Sequence, residues 1–83
     1  MRYEKVFISV IVKFLFEGGM RPTEIIWTDG SRFSVERIKF IEKKPCRTGG
    51  VIPLRYTVII EGLEKYLYYL SENERWFIEK RIE

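Results

Sequence analysis

At residues 6–16 the chain reads VFISVIVKFLF, and this stretch decides the fold class. Apolar side chains occupy every even position from Val6 to Phe16, whereas the odd positions are mixed. Because side chains of a β-strand point alternately to opposite faces, this period of two predicts a long strand with one buried and one partly covered face. A strand this long in a small protein usually bends and contributes to both sides of a barrel or sandwich.

The same run has a second interpretation, because an apolar stretch that follows basic residues resembles the central segment of a secretion signal. Lys13 interrupts the run, Glu17 follows it, and no small-residue cleavage pattern comes next. The run is also too short to cross a bilayer as a helix. We therefore favour a buried strand and expect a cytoplasmic protein that does not contact a membrane.

The composition favours strands in the rest of the chain as well. Of the 83 residues, 46% are hydrophobic and 16% are aromatic, and the sequence has no alanine. Many of the apolar residues are valine, isoleucine or aromatic, and these side chains fit a pleated surface better than a helix. A chain of this length supports one hydrophobic core, so we expect residues 1–83 to form one domain.

Turn residues divide the chain that follows the first strand. Asp29-Gly30 lies between two apolar stretches and predicts a hairpin turn of type I′. The apolar positions change phase after Val35, which predicts a bulge near Glu36-Arg37 that lets a long strand curl from one sheet edge to the next. Glu61-Gly62 predicts a further tight turn.

About six strands joined mostly by tight hairpins follow from this pattern, with one long loop over residues 43–54. A small, partly open antiparallel barrel of about five to six strands fits best, because closure hides the strand edges that an open sheet would expose. The alternative is a strongly twisted open sheet that buries its apolar face in a homodimer.

Positive charge is concentrated in one segment of the chain. The net charge is +3, yet residues 32–56 hold seven cations against two carboxylates. Cations interleaved with aromatic residues can bind single-stranded nucleic acid, since cations contact phosphates while exposed rings stack on bases. On the other hand, alternation places Phe33, Phe40 and Tyr56 inward, as ordinary core residues. The candidate ligand-binding residues are Arg37, Lys39, Lys43, Lys44, Arg47 and Arg55.

The stretch KYLYYL at residues 65–70 has apolar side chains on both faces, so each face must be buried against other residues. One face is buried in the core, and something else must cover the other. This cover is either the 43–54 loop, which we favour, or a second protein chain. In the second case the strand at 66–70 would belong to a protein-interaction or homodimerising subunit, with Leu67 and Tyr69 as the candidate partner contacts.

Catalytic chemistry has little support in the sequence. There is no histidine, and Cys46 is the only cysteine, so neither an imidazole base nor a resolving thiol is available to it. We expect a non-enzymatic protein without a cofactor or a metal, and we consider a thiol-dependent enzyme at Cys46 the weakest alternative. Thr48-Gly49-Gly50 lacks the lysine and helix of a phosphate-binding loop and is interpreted as a flexible turn, with phosphate binding by its backbone as the weaker alternative.

Several motifs together resemble a family of small bacterial proteins of unknown function. They are WTDGSRFSV at residues 27–35, the pair Gly49-Gly50, RYTVIIEG at residues 55–62, YLY at residues 66–68 and WFIE at residues 76–79. The resemblance covers most of residues 5–79, and the chain departs from the family pattern at Ser31, which stands between glycine and arginine. It implies an SH3-like barrel and a cytosolic protein, and it implies no activity.

Overall fold

The alternating stretch at residues 6–16 lies mostly in β1, the longest strand among the residues that the structure describes. The computed structural model describes residues 2–82 and places them in one curled antiparallel sheet. Its strands are β1 (Tyr3–Phe14), β2 (Met20–Ile26), β3 (Arg32–Ser34), β4 (Arg37–Lys43), β5 (Leu54–Ile60), β6 (Leu63–Leu70) and β7 (Arg75–Arg81). Their order is β3-β2-β1-β7-β6-β5-β4. The prediction of an all-β, partly open barrel is confirmed, with seven strands in the described residues rather than five to six.

The additional strand arises where the chain changes from one sheet edge to the other. The Val35 N–H donates to the Thr23 carbonyl at 2.9 Å, and the next residue, Glu36, donates its N–H to the Ile59 carbonyl at 2.8 Å. β3 and β4 therefore lie at opposite edges of the sheet although only two residues connect them, which requires the sheet to curl until its edges meet. The predicted change of edge is confirmed.

The bulge itself lies further along than predicted. Ile38 pairs with Val58 and Phe40 with Thr57, so Lys39 is the extra residue, not Glu36 or Arg37. A bulge inverts the facing of the residues that follow it. The prediction that Phe40 points inward is therefore wrong, and its side chain is 60% exposed.

β1 is shared between two neighbours that pair with different halves of it. Tyr3–Ile8 pairs with β7, and Ser9–Phe14 pairs with β2. The second half thus extends beyond β7. For this reason the prediction of a buried even face fails at its end, where Phe14 is 76% exposed and Phe16 lies outside the strand, fully exposed.

The inner face of the curled sheet holds the main core. Val58 and Leu67 are fully buried at its centre, and the Trp76 ring lies 5.1 Å from Tyr56 and 4.7 Å from Tyr69. Side chains from all seven strands pack here, among them Ile8, Val10, Ile25, Phe33, Ile38, Leu54, Ile60 and Ile78. Phe33 and Tyr56 therefore lie inward, as predicted.

The outer face carries a second, smaller cluster that the loop between β4 and β5 covers. Cys46 from this loop packs with Tyr68, Phe77 and Leu70, and the Tyr68 and Phe77 rings stack at 5.0 Å. The loop therefore covers the outer face of β6, which is the alternative that we favoured over a second protein chain. The facing of β6 is the reverse of the expected one, because Leu67 and Tyr69 face the main core.

The two glycine hairpins differ in type. At Asp29-Gly30 the Gly30 N–H donates to the Trp27 carbonyl, and only Gly30 has a positive φ, so this is a type I turn followed by a left-handed glycine, not the predicted type I′ turn. In the two-residue loop between Ile60 and Leu63, both Glu61 (φ 51°) and Gly62 (φ 76°) are left-handed. That loop is the type I′ turn.

Because Glu61 adopts a left-handed conformation that asparagine tolerates better, Glu61→Asn should stabilise the protein by about 1 kcal/mol. The change is measured as the free energy of unfolding in urea. Glu72→Asn, the same substitution at an exposed turn residue without a positive φ, should change stability by less than about 0.5 kcal/mol. Equal changes in the free energy of unfolding for the two substitutions would contradict the type I′ turn at Glu61-Gly62.

Candidate ligand-binding cleft

β6 and β7 separate along part of their length and open a cleft in the sheet. In the described residues their pairing is confined to Tyr68–Leu70 with Arg75–Phe77, although β6 begins at Leu63 and β7 ends at Arg81. A cavity of about 710 Å³ lies at this split, a volume within the range of small-molecule sites. It is lined from the inner face by Ile25, Phe33, Val58 and Leu67 and from the outer face by Arg47, Arg55, Tyr66, Tyr68 and Glu79.

Polar contacts with β1 and β7 hold the loop of residues 44–53 beside this cleft. The Lys5 ammonium donates to the Thr48 hydroxyl at 2.7 Å and to the Gly49 carbonyl at 2.8 Å. The Thr48 N–H donates to a Glu79 carboxylate oxygen at 2.7 Å. Because Lys5 belongs to β1 and Glu79 to β7, paired strands of the sheet fix the position of the loop.

Cys46 anchors the same loop through packing. Its side chain is buried against Tyr68 and Phe77, and its thiol donates to the Gly49 carbonyl at 3.4 Å. A buried cysteine of this kind behaves as a small apolar residue with a weak donor. The arrangement assigns Cys46 a structural contact and offers no neighbouring base for thiol chemistry among the residues described.

Glu79 and Tyr68 form the polar floor of the cleft. Burial would raise the pKa of Glu79, but hydrogen bonds from the backbone of Thr48 and Arg47, and from the Thr48 and Tyr68 hydroxyls, hold this pKa below its ordinary value. Burial and the neighbouring Glu79 charge raise the pKa of Tyr68 to about 12. At neutral pH the site therefore holds a carboxylate beside a protonated phenol.

Two arginine–tyrosine pairs flank this floor. The Arg55 guanidinium carbon lies 4.2 Å from the centre of the Tyr66 ring, and the corresponding Arg47 carbon lies 4.8 Å from that of Tyr3. Arg47 also donates to the Tyr3 hydroxyl at 2.8 Å. Stacking of this kind fixes the plane of each guanidinium and contributes roughly 0.5–2 kcal/mol. The cleft thus presents two cations in set orientations beside two aromatic rings.

The structure brings together some of the six predicted ligand-binding cations and separates others. Arg47 and Arg55 line the cleft, and Lys39 forms a 2.8 Å ion pair with Glu64 at its rim. Arg55 is also paired, with Glu42 at 2.9 Å. The remaining three, Arg37, Lys43 and Lys44, are exposed on β4 or just after it, do not line the cleft, and form no ion pair with any described residue.

The charges that line the cleft are mixed in sign. Three cations, Arg47, Arg55 and Lys65, are matched by three carboxylates, Glu61, Glu64 and Glu79. Glu79 is already bound to the loop and Glu64 to Lys39, so their charges are locally compensated. Among the cations that line the cleft, Arg47 and Lys65 form no ion pair with a described residue.

The predicted partner contacts on β6 need correction. Leu67 is 1% exposed and lies in the main core, so it is not available to a partner in this conformation. Tyr69 is half-buried on the same face and packs on Trp76. The exposed aromatic residue of β6 is Tyr66, at 44%.

Sequence reasoning missed five residues of the site, namely Tyr3, Lys5, Tyr66, Tyr68 and Glu79. Tyr3, Lys5 and Glu79 each contact a loop residue 31 to 44 positions away in the chain. Contacts at this separation depend on strand pairing and leave no local pattern. A weak signal existed in the polar residues that interrupt the apolar ends of the first and last strands.

Comparison with protein-family models, with curated proteins and with solved structures finds no match to this chain. The resemblance to small bacterial proteins therefore stays a prediction. Within residues 2–82 no three potential metal-ligating side chains of histidine, cysteine, aspartate or glutamate lie together. The described part of the chain forms no helix long and apolar enough to cross a membrane.

Replacing Glu79 by glutamine should destabilise the protein by about 1–2 kcal/mol at pH 7, because the loop then loses a charged acceptor. Since the pKa of Glu79 is lowered on folding, the contribution of its charge is complete above the ordinary pKa of 4.5 and disappears as the pH falls through the lower folded value. Urea unfolding at a series of pH values measures this difference, which should shrink towards pH 3. Glu72→Gln at the exposed turn is the control, and a difference that does not change with pH would refute the role of Glu79.

Proposed function

We propose that this protein is a non-enzymatic binding module and that its ligand is single-stranded nucleic acid, bound at the cleft between β6 and β7. The convergence of two arginine–tyrosine pairs on one cleft is the observation that carries the proposal. Binding of single strands requires cations for phosphates and flat rings for bases, and both are present at this opening.

The two kinds of contact would be divided between the cleft and its surroundings. Arg47 is exposed and lines the cleft, so it would contact a phosphate there. Arg37, Lys43 and Lys44 would extend the path of the phosphates along β4. Tyr66 offers a partly exposed ring to a base, with Arg55 behind it as a support already neutralised by Glu42.

The state of the titratable groups supports binding rather than catalysis. The Glu79 carboxylate accepts hydrogen bonds from the loop, and the pKa of Tyr68, raised to about 12, keeps its phenol protonated. A general base is effective when its pKa lies near the working pH, which neither group satisfies. We place the module in the cytoplasm, because a lone, unpaired cysteine suits a reducing compartment.

The second candidate function is a protein-interaction or homodimerising subunit. The strand at 66–70 supports it less well than expected, since Leu67 is buried. Tyr69, however, lines a separate apolar groove beside β1, and this observation keeps the candidate open.

Fluorescence anisotropy of labelled mixed-sequence oligonucleotides tests the first proposal. Affinity should rise as salt falls, and Arg47→Ala should reduce the slope of log K against log salt by about 0.7, the value for one phosphate contact on a single strand. Tyr66→Ala should weaken binding by roughly 1–3 kcal/mol through loss of stacking.

Arg21→Ala provides a matched control, because Arg21 is an exposed cation on β2 that does not line the cleft. It should change neither the affinity nor the salt slope appreciably. Undetectable binding at low salt would exclude nucleic acid as the ligand. Binding that Arg21→Ala weakens as much as Arg47→Ala would place the ligand elsewhere on the surface.

A further inference from the structure

The second half of β1 has an open edge. Ser9–Phe14 pairs with β2 on one side, and on the other side the pairing of β7 with β1 ends at Ile8 opposite Trp76 in the described part of the chain. Because successive residues turn their backbone groups to opposite sides of a strand, every second residue of this stretch presents its N–H and C=O along an edge without a neighbouring strand. Such edges are ready to pair with another strand.

A groove with a mostly apolar lining runs beside this edge. It has a volume of about 440 Å³, and its lining includes the inner-face residues Val10, Val12, Phe14, Met20, Tyr69 and Trp76 together with the polar residues Ser9, Glu74 and Arg75. The groove and the edge together resemble the sites at which an added strand supplies main-chain hydrogen bonds while its alternate side chains fill pockets.

The exposed edge of β1 lacks the sequence features that usually prevent pairing with another strand. Protected edges carry inward charges, proline or a bulge on the exposed strand. Here the six residues include one charge, Lys13, and the alternation of β1 places it on the outer face, away from the groove. The register shift at Ile11/Val12 is an extra residue on β2, and β1 itself continues without one.

We propose that the occupant of this edge is the same edge of a second copy, which makes the protein a two-fold symmetric dimer with one continuous sheet. Antiparallel pairing about an axis at Ile11 or Val12 keeps like faces together, so each Phe14 enters the groove of the other copy. In either register Lys13 lies beside Ser9 or Ile11 of the other copy and never beside a second lysine. The charge pattern of the edge is therefore compatible with itself, as an isologous interface requires.

Exposed apolar side chains at this edge would supply part of the area that a dimer interface needs. A stable interface buries about 800 Å² per partner, which is about a seventh of the 5837 Å² surface of this chain. Phe14 is 76% exposed and Ile11 is 40% exposed, and both lie on the edge. An aromatic side chain alone contributes roughly 150–250 Å² when it is buried.

Sedimentation equilibrium tests the proposal. The 10.0 kDa chain should sediment as a dimer of about twice that mass, and Phe14→Lys should raise the dimer dissociation constant by at least about tenfold, as loss of an anchor residue does. Ile11→Lys should do the same, since the new lysine would meet either its own copy or Lys13 across the axis. Both side chains are already exposed, so urea unfolding curves should show that the variants remain folded.

Phe16→Lys is the matched control, because Phe16 is fully exposed but lies beyond the end of β1. It should leave the dissociation constant within about twofold. A wild-type protein that stays monomeric up to about 1 mM overturns the proposal. A dimer that Phe14→Lys, Ile11→Lys and Phe16→Lys weaken equally also overturns it. The same holds for a dimer that is weakened by Arg47→Ala and not by Phe14→Lys.

Discussion

The staggered pairing of the strands is the constraint on which the rest of this structure depends. The first half of β1 pairs with β7 and its second half pairs with β2, whereas only three residues of β6 pair with β7. Stagger of this kind tilts strands and closes a sheet into a barrel. Here it brings the two sheet edges together at Val35 and Glu36, where successive N–H groups bond to opposite edges.

The same stagger opens the sheet at the places where the pairing between neighbouring strands ends. One opening is the cleft between β6 and β7, and the other is the free edge of Ser9–Phe14. They differ in chemistry, because the loop of residues 44–53 brings arginine and backbone donors to the first, whereas the lining of the second is mostly apolar. For this reason our two proposals place ligand binding at the cleft and self-association at the edge.

The elements predicted correctly from the sequence are those set by local pattern. Alternation at Val6–Val12 revealed the first strand, and the phase change after Val35 revealed the change of sheet edge. A local pattern does not determine the register between strands, and the errors at Phe40 and Leu67 are errors of register. The bulge at Lys39 exposes Phe40, and the pairing of β6 with β5 turns Leu67 into the core. Of the candidate site, Arg47 and Arg55 were predicted, whereas the contacts of Lys5 and Glu79 with the loop depend on pairing between distant segments.

An NMR titration of the labelled protein with a short single-stranded oligonucleotide tests the central claim most directly. If the split between β6 and β7 is the binding site, the amide signals of residues 46–49, 64–68 and 78–80 shift together, and those of residues 9–14 stay unchanged. Shifts confined to the exposed lysines of β4, or spread evenly over the sheet, would contradict the account.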